Sequence, residues 1–395
     1  VVRRALLLST LLAVSGCDYG FKPATLVDSL RMLGVRAQPA DLAPGESTSL
    51  TALVPDPSRA EPATVLWVGC APDPYDLNRT ACADTSLLQD PSALTGGTGT
   101  LPPGVSLIGF NARATYTASA DVFSQLPAGD ERRARGTVGQ ILAFAVAETI
   151  SPTASPDELK ALFDRVQKKE VRSIIGIFRV QISENPARNT PPAVTGLRLG
   201  GELVPRGAHV AFLPGSQAVA DLDADDAVFE PYTVVTPTTT ETRKERVLVA
   251  WFSTLGRFDH EHTALREDVK TTFSAPEGTD KTDPVPERRT GTLWTVLRDT
   301  RGGVNWSSWP VFVCDPALAE PVVSSVDWPT VAGGDVVLHG AQLDSVLDVV
   351  VDGQALGQGT YSPTSGLWSG QLPGGVDVGA RRGELRSKTC ARTGL

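Results

Sequence analysis

Histidine is scarce in this sequence, with four copies among 395 residues, and no H-E-x-x-H run sets two of them on one helix face. The commonest zinc-hydrolase arrangement is therefore excluded. No two cysteines stand at C-x-x-C spacing, which argues against zinc ribbons and thioredoxin-type redox chemistry. G-x-S-x-G, the P-loop and an intact G-x-G-x-x-G are also missing; Gly97-Thr98-Gly99 runs into Leu101-Pro102 instead of a helix. Basic stripes are absent apart from the short run Glu131-Arg132-Arg133-Ala134-Arg135, and the formal net charge is −9. Phosphate backbones need clustered Lys and Arg, so nucleic acid is not an expected partner. No apolar run reaches the roughly twenty residues of a membrane-spanning helix. Nothing in these patterns asks for a cofactor.

What is present favours β-structure. Glycine (37) and proline (30) are frequent and scattered, which suits many turns and short strands. At 41% hydrophobic residues the chain can build ordinary cores, and its length suits two to four domains.

The first seventeen residues form a leader. Arg3 and Arg4 make a basic head, 5–14 is mostly apolar, and Val14-Ser15-Gly16-Cys17 follows. That order reads as an export signal. An aliphatic residue, two small residues and a cysteine resemble the lipobox of bacterial lipoproteins. The resemblance implies removal of residues 1–16 and diacylglycerol on the Cys17 thiol, with a short tether over 17–24. Met32 is the only methionine; starting there would discard the leader, so Val1 is read as a non-AUG start or a truncated beginning.

With Cys17 lipidated, Cys70, Cys82, Cys314 and Cys390 remain. An even number in an oxidising compartment predicts two disulfides, and three pairings are open. The favoured one joins Cys70 to Cys82 across a short loop and Cys314 to Cys390, stapling the last domain end to end.

Three domains are expected. The first covers 25–189 and includes the strand Val65-Leu66-Trp67-Val68-Gly69-Cys70. Strand, Pro-Gly-Glu turn, strand, then a strand bearing Trp and Cys resembles bacterial immunoglobulin-like domains. One amphipathic helix over 156–170 interrupts it: Ser155-Pro156-Asp157-Glu158 reads as a capping box with proline at the first helical position. Leu159, Leu162, Phe163 and Val166 then recur at helical spacing, and that stripe is expected to cover its own sheet. The run 185–192, rich in proline and polar residues, reads as a linker.

The second domain covers 192–315. Its Trp251 strand, Gly256-Arg257-Phe258, Thr272-Phe273-Ser274-Ala275-Pro276 and a strand closing on Arg298-Asp299-Thr300-Arg301-Gly302-Gly303 resemble Ig-like or PKD-like repeats of bacterial surface proteins. Trp251 and Trp294 are expected on inward faces, and the Gly302-Gly303 pair to supply the positive φ of a hairpin. The third domain, 316–395, resembles IPT/TIG sandwiches through Pro321-Val322-Val323-Ser324-Ser325-Val326, a Gly333-Gly334 turn and Val349-Val350-Val351-Asp352-Gly353. The whole is similar to multi-Ig-like lipoproteins of myxobacterial-type organisms.

Three constellations are candidates for chemistry. His260 and His262 in Asp259-His260-Glu261-His262 would share one face of a strand and offer two metal positions, while the simpler reading is a polar loop. Asp221, Asp223 and Asp225 begin like a calcium loop but lack its glycine and glutamate, so a solvated turn competes. Trp306 and Trp309 form a binding face if exposed, and core if buried. The expectation is a mainly β, non-enzymatic envelope protein of tandem Ig-like sandwiches, with membrane contact through Cys17 and envelope proteins or polysaccharide as partners. The outer membrane of a Gram-negative bacterium is the expected location. The alternatives are a glycan-binding adhesin and, further off, a metal-dependent hydrolase.

Overall fold

A computed structural model describes residues 22–82, 103–151, 153–235, 239–278, 284–331, 333–374, 376 and 383–395. The expected leader and Cys17 lie outside the described residues. The chain is mainly β, built as tandem immunoglobulin-like sandwiches, with two short helices among the described residues.

In the first sandwich, eight strands follow one another laterally: Gly34–Gln38, Ser47–Leu53, Arg113–Thr117, Val105–Phe110, Thr64–Cys70, Thr137–Val146, Ser173–Ile182 and Asp41–Leu42. The two ends of this series are neighbours in sequence. The chain pairs antiparallel with Ser47–Leu53, turns at Pro39, and then pairs parallel with Ser173–Ile182. That switch of the opening strand between edges closes the sheet around its core. Side chains alternate along a strand, so Val65 and Trp67 point inward with Ile141, Ala143 and Ala145. Trp67 is fully buried, and its Nε1 donates to the carbonyl of Asn111 at 2.7 Å.

The outer face of the same strands is covered as well, which explains why Thr64–Cys70 is buried at every position and reads as a continuous apolar run. One cover is the helix Pro156–Gln167. Its capping box is present: Ser155 Oγ accepts from the Glu158 N–H at 3.3 Å, and Glu158 Oε2 accepts from the Ser155 N–H at 2.6 Å. Leu162 and Phe163 are buried on Leu66, Phe144 and Val146. The stripe therefore covers its own sheet. The helix stops at Gln167, short of the expected 170, and Lys169 adopts the left-handed conformation (φ 61°). A second cover is the loop closed by the disulfide Cys70–Cys82, both cysteines packing with Val68, Val105 and Leu142. Glycine is needed at 139, where an added Cβ would stand 2.1 Å from the buried Tyr116 hydroxyl.

The second sandwich repeats the edge switch. Gly196–Leu199 pairs with Gln217–Asp223, and Val210–Phe212 pairs parallel with Val304–Val313. Its two five-stranded sheets enclose Trp251, Phe258, Phe273, Leu293 and Trp309. Trp251 Nε1 donates to Thr263 Oγ1 at 2.9 Å.

The third sandwich sets Val322–Asp327, Asp335–Ala341, Leu367–Gln371 and Gly357–Ser362 against Gln354–Ala355, Val346–Val351, Gly383–Ser387 and Arg392–Gly394. Val336, Leu338, Val349, Val351, Trp368 and Leu385 form its core.

One expectation needs correction. Trp294 does not face inward with Trp251. Thr295 stands opposite Trp251 in the ladder, and Trp294 is opposite Phe252, on the other face of the sheet. There it is buried by Val27 and Leu33 from the start of the chain. Of the expected glycine pair only Gly302 has positive φ (93°).

Candidate functional site

The residues between sandwiches form a buried network of hydrogen bonds and ion pairs. The chain opens on the second sandwich before entering the first. Leu26 bridges Ser253, the Val27 N–H donates to the Ser253 carbonyl at 2.8 Å, and the Ser253 N–H donates to the Thr25 carbonyl at 2.9 Å. Thr25 Oγ1 also accepts from the Phe258 N–H. Residues 25–27 are thus stitched to the second body, where the sequence suggested the start of the first. Arg36 then stacks over Trp306 at 4.8 Å and donates to Asn305 Oδ1 at 3.0 Å. Arg298 donates to the Leu33 carbonyl at 2.8 Å, and burial holds its guanidinium below the usual arginine value.

The expected linker 185–192 is part of this junction. Asn189 is 6% exposed. Its N–H donates to Asp41 Oδ2 at 3.1 Å, and its Nδ2 donates to both Asp299 oxygens at 3.2–3.3 Å. Asp299 also accepts from the N–H groups of Arg301 and Gly303, so it shapes the hairpin turn as well. Arg301 binds Glu245 and Glu230 and lies against the Tyr232 ring. Burial raises the pKa values of Asp41, Asp299 and Glu245 above the ordinary carboxylate range. Hydrogen bonds and the nearby arginines pull each of them back in part.

The second and third sandwiches are clamped differently. Cys314 directly follows the strand Val304–Val313, and its N–H donates to the Phe212 carbonyl at 2.8 Å. Its disulfide to Cys390 therefore fixes a turn of the third sandwich to the end of the second, a more exact role than stapling one domain. Arg206 bridges Gln354, the His209 N–H donates to Asp348 Oδ2 at 2.7 Å, and Arg392 pairs with Glu202 at 2.9 Å.

The candidate residues named from sequence are dispersed. Trp306 and Trp309 lie three apart on one strand and so face opposite sides. Trp309 is in the second core at 8% exposure, and half-buried Trp306 belongs to the junction. They do not form a paired face. His262 lies in the strand His262–Ala264, while His260 lies outside any strand and contacts Asp259 at 3.0 Å. Asp221 pairs with Lys270, Asp223 with Arg198 at 2.7 Å, and Asp225 precedes a short 3-10 turn. Among the described residues, no three His, Cys, Asp or Glu side chains gather as a metal-binding group. Sequence reasoning missed Asp41, Asn189 and Asp299, which lie far apart in polar turns. The available signal was the Asp299-Thr300-Arg301-Gly302-Gly303 hairpin, whose first residue is a natural turn acceptor.

No protein family matches the chain, and no curated protein does. Among solved structures it is similar to extracellular domains 3–5 of Drosophila OTK, at 14% identity over 94% of this chain and 97% of that one, with a TM-score of 0.17. It is similar to SGBP-B of the Bacteroides ovatus mixed-linkage glucan utilization locus, in complex with a mixed-linkage heptasaccharide, at 13% identity over 93% of this chain and 66% of that one, TM-score 0.16. The FN1–FN3 domains of chicken CNTN1 align at 8% identity over 93% and 95%, TM-score 0.17. At such TM-scores these likenesses carry no argument about what this chain binds, and the fold stands on its own strand order and cores.

Proposed function

We propose that this chain is a lipid-anchored cell-envelope protein that acts without catalysis, as a structural or interaction module. The observation that carries the reading is the construction of its junctions. Buried side chains, main-chain bridges and a disulfide join three sandwiches where flexible linkers would leave them independent. A module that holds a surface at a set position needs such joints; a string of mobile domains does not. Cysteine use supports the anchor. The four described cysteines pair with one another, so Cys17, at the end of the leader, has no cysteine left in this chain to bond. The third sandwich is read as IPT/TIG-like on its sequence, and the outer membrane as the location.

The test compares wild type with Cys17→Ala, using a clickable palmitate label, envelope fractionation and protease added to intact cells. Label on wild type alone, in the outer-membrane fraction, is the expected result. Equal labelling of both proteins, or none on either, overturns the anchor.

A further inference from the structure

One groove of the first sandwich collects arginines that have no side-chain partner among the described residues. It measures about 350 Å³ and is lined by Arg79, Arg135 and Arg179 with Thr80, Gln140 and Gln181 among its walls, and no Asp or Glu lines it. This is unusual for a chain of net charge −9. None of the three guanidinium groups makes an ion pair or hydrogen bond among the described residues, whereas the neighbouring Arg132 and Arg133 are held by Asp130 and Glu184.

The arginines come from three anchored elements. Arg179 stands opposite Gln140 in the ladder of Thr137–Val146 and Ser173–Ile182. Arg135 ends the short helix Glu131–Arg135, and its carbonyl accepts from Gln181 Nε2 at 3.0 Å. Arg79 sits on the disulfide-closed loop. That loop is docked where Thr80 Oγ1 donates to Gln140 Oε1 at 3.1 Å and Thr137 Oγ1 donates to the Leu77 carbonyl at 2.6 Å. Their backbones are therefore placed before any ligand arrives.

We infer that this groove binds an acidic polysaccharide, with the arginines on its carboxylate or sulfate groups. The arginine fork matches a planar oxyanion with two parallel hydrogen bonds. The neutral groups favour a sugar over a bare phosphate surface. Gln140 keeps its amide nitrogen as a donor and Gln181 its Oε1 as an acceptor. A sugar hydroxyl uses both kinds of group, and a phosphate oxygen uses donors only. The inference rests on the reading of the chain as an interaction module and names the ligand of that module; it does not depend on Cys17.

The test is calorimetry on the full chain in detergent with an oligogalacturonate hexamer, cellohexaose, inorganic phosphate and vesicles containing anionic phospholipid. The hexamer is expected to bind, more weakly as salt rises, and cellohexaose is not. Arg135→Ala and Arg179→Ala should each weaken binding about tenfold or more. Their melting temperatures should hold, since neither side chain has a partner to lose among the described residues. Arg392→Ala, in the third sandwich, should bind as wild type. Binding of cellohexaose equal to that of the hexamer, binding unchanged in the arginine variants, or vesicle or phosphate binding without hexamer binding would each overturn the inference. Hexamer binding by a protein that takes no palmitate would sink the anchor and leave the groove standing.

Discussion

Single residues set the acid response of the first junction. Asp41 and Asp299 are 5% and 9% exposed, and burial raises both pKa values. A carboxyl group with a raised native pKa holds its proton in the folded state at a pH where the unfolded chain has released it. Between the unfolded value, 3.8 for aspartate, and the raised native value, stability therefore falls as pH rises. Asp130, held down to about 2 by its hydrogen bonds from Arg132, works in the opposite sense, and its contribution is lost only on stronger acidification. The melting temperature should accordingly be at least as high at pH 5 as at pH 7.5. Asp41→Asn keeps an acceptor for the Asn189 N–H and puts an amide where Oδ1 has no hydrogen-bond partner. Thermal scans across that range should find the variant no less stable than wild type at pH 7.5, with a flatter pH profile. A profile as steep in the variant as in wild type would show that Asp41 is not among the groups that titrate in that range.

At the scale of elements, the two disulfides differ in what they restrain. Cys70–Cys82 closes a separation of 12 residues, and Cys314–Cys390 one of 76. Loop-closure entropy gives about 3 kcal/mol for the short one and about 4 kcal/mol for the long one. The long one also spans two sandwiches. Replacing Cys314 and Cys390 with alanine should lower stability by about 4 kcal/mol and, in hydrogen exchange, unprotect the strands Gly383–Ser387 and Arg392–Gly394 first. Loss of protection spread evenly over all three sandwiches would count against that local role.

The disulfides follow the favoured one of three open pairings, and the helix was legible because a capping box and an apolar stripe are local patterns. The tryptophans mark where sequence stopped helping. Alternation alone separates Trp306 from Trp309, but nothing local says that the outer face of the second sheet is buried. Trp294 looked like core and is core, on the side its own sandwich leaves open. The junction was illegible because Asp41, Asn189 and Asp299 meet only after two sandwiches have folded, and turn-rich polar sequence looks the same in a loose linker as in a pinned one.

The molecule as a whole is interlaced at its first junction. Residues 25–27 belong by hydrogen bonding to the second sandwich, yet they precede the first, so the chain crosses the junction twice: at 27–34 and again at 189–192. Ala250, Trp294 and Val296 are buried on the outer face of the second sandwich beneath Val27 and Leu33. A tryptophan buries about 200 Å², worth at most about 5 kcal/mol at 25 cal/mol per Å². The second sandwich should not behave as an independent domain once residues 22–190 are removed. Fragment 192–395 is expected to bind a hydrophobic dye, to melt well below the full chain and to self-associate, while co-expression with 22–190 restores its melting temperature. A monomeric 192–395 that melts with the full chain would show that the apolar contact at Trp294 is dispensable, and that the sandwiches are joined only by their polar bridges. The same stitch limits reach. If Cys17 carries lipid, the eight peptide units between Cys17 and Thr25 span at most about 28 Å, which keeps the first junction close to the membrane.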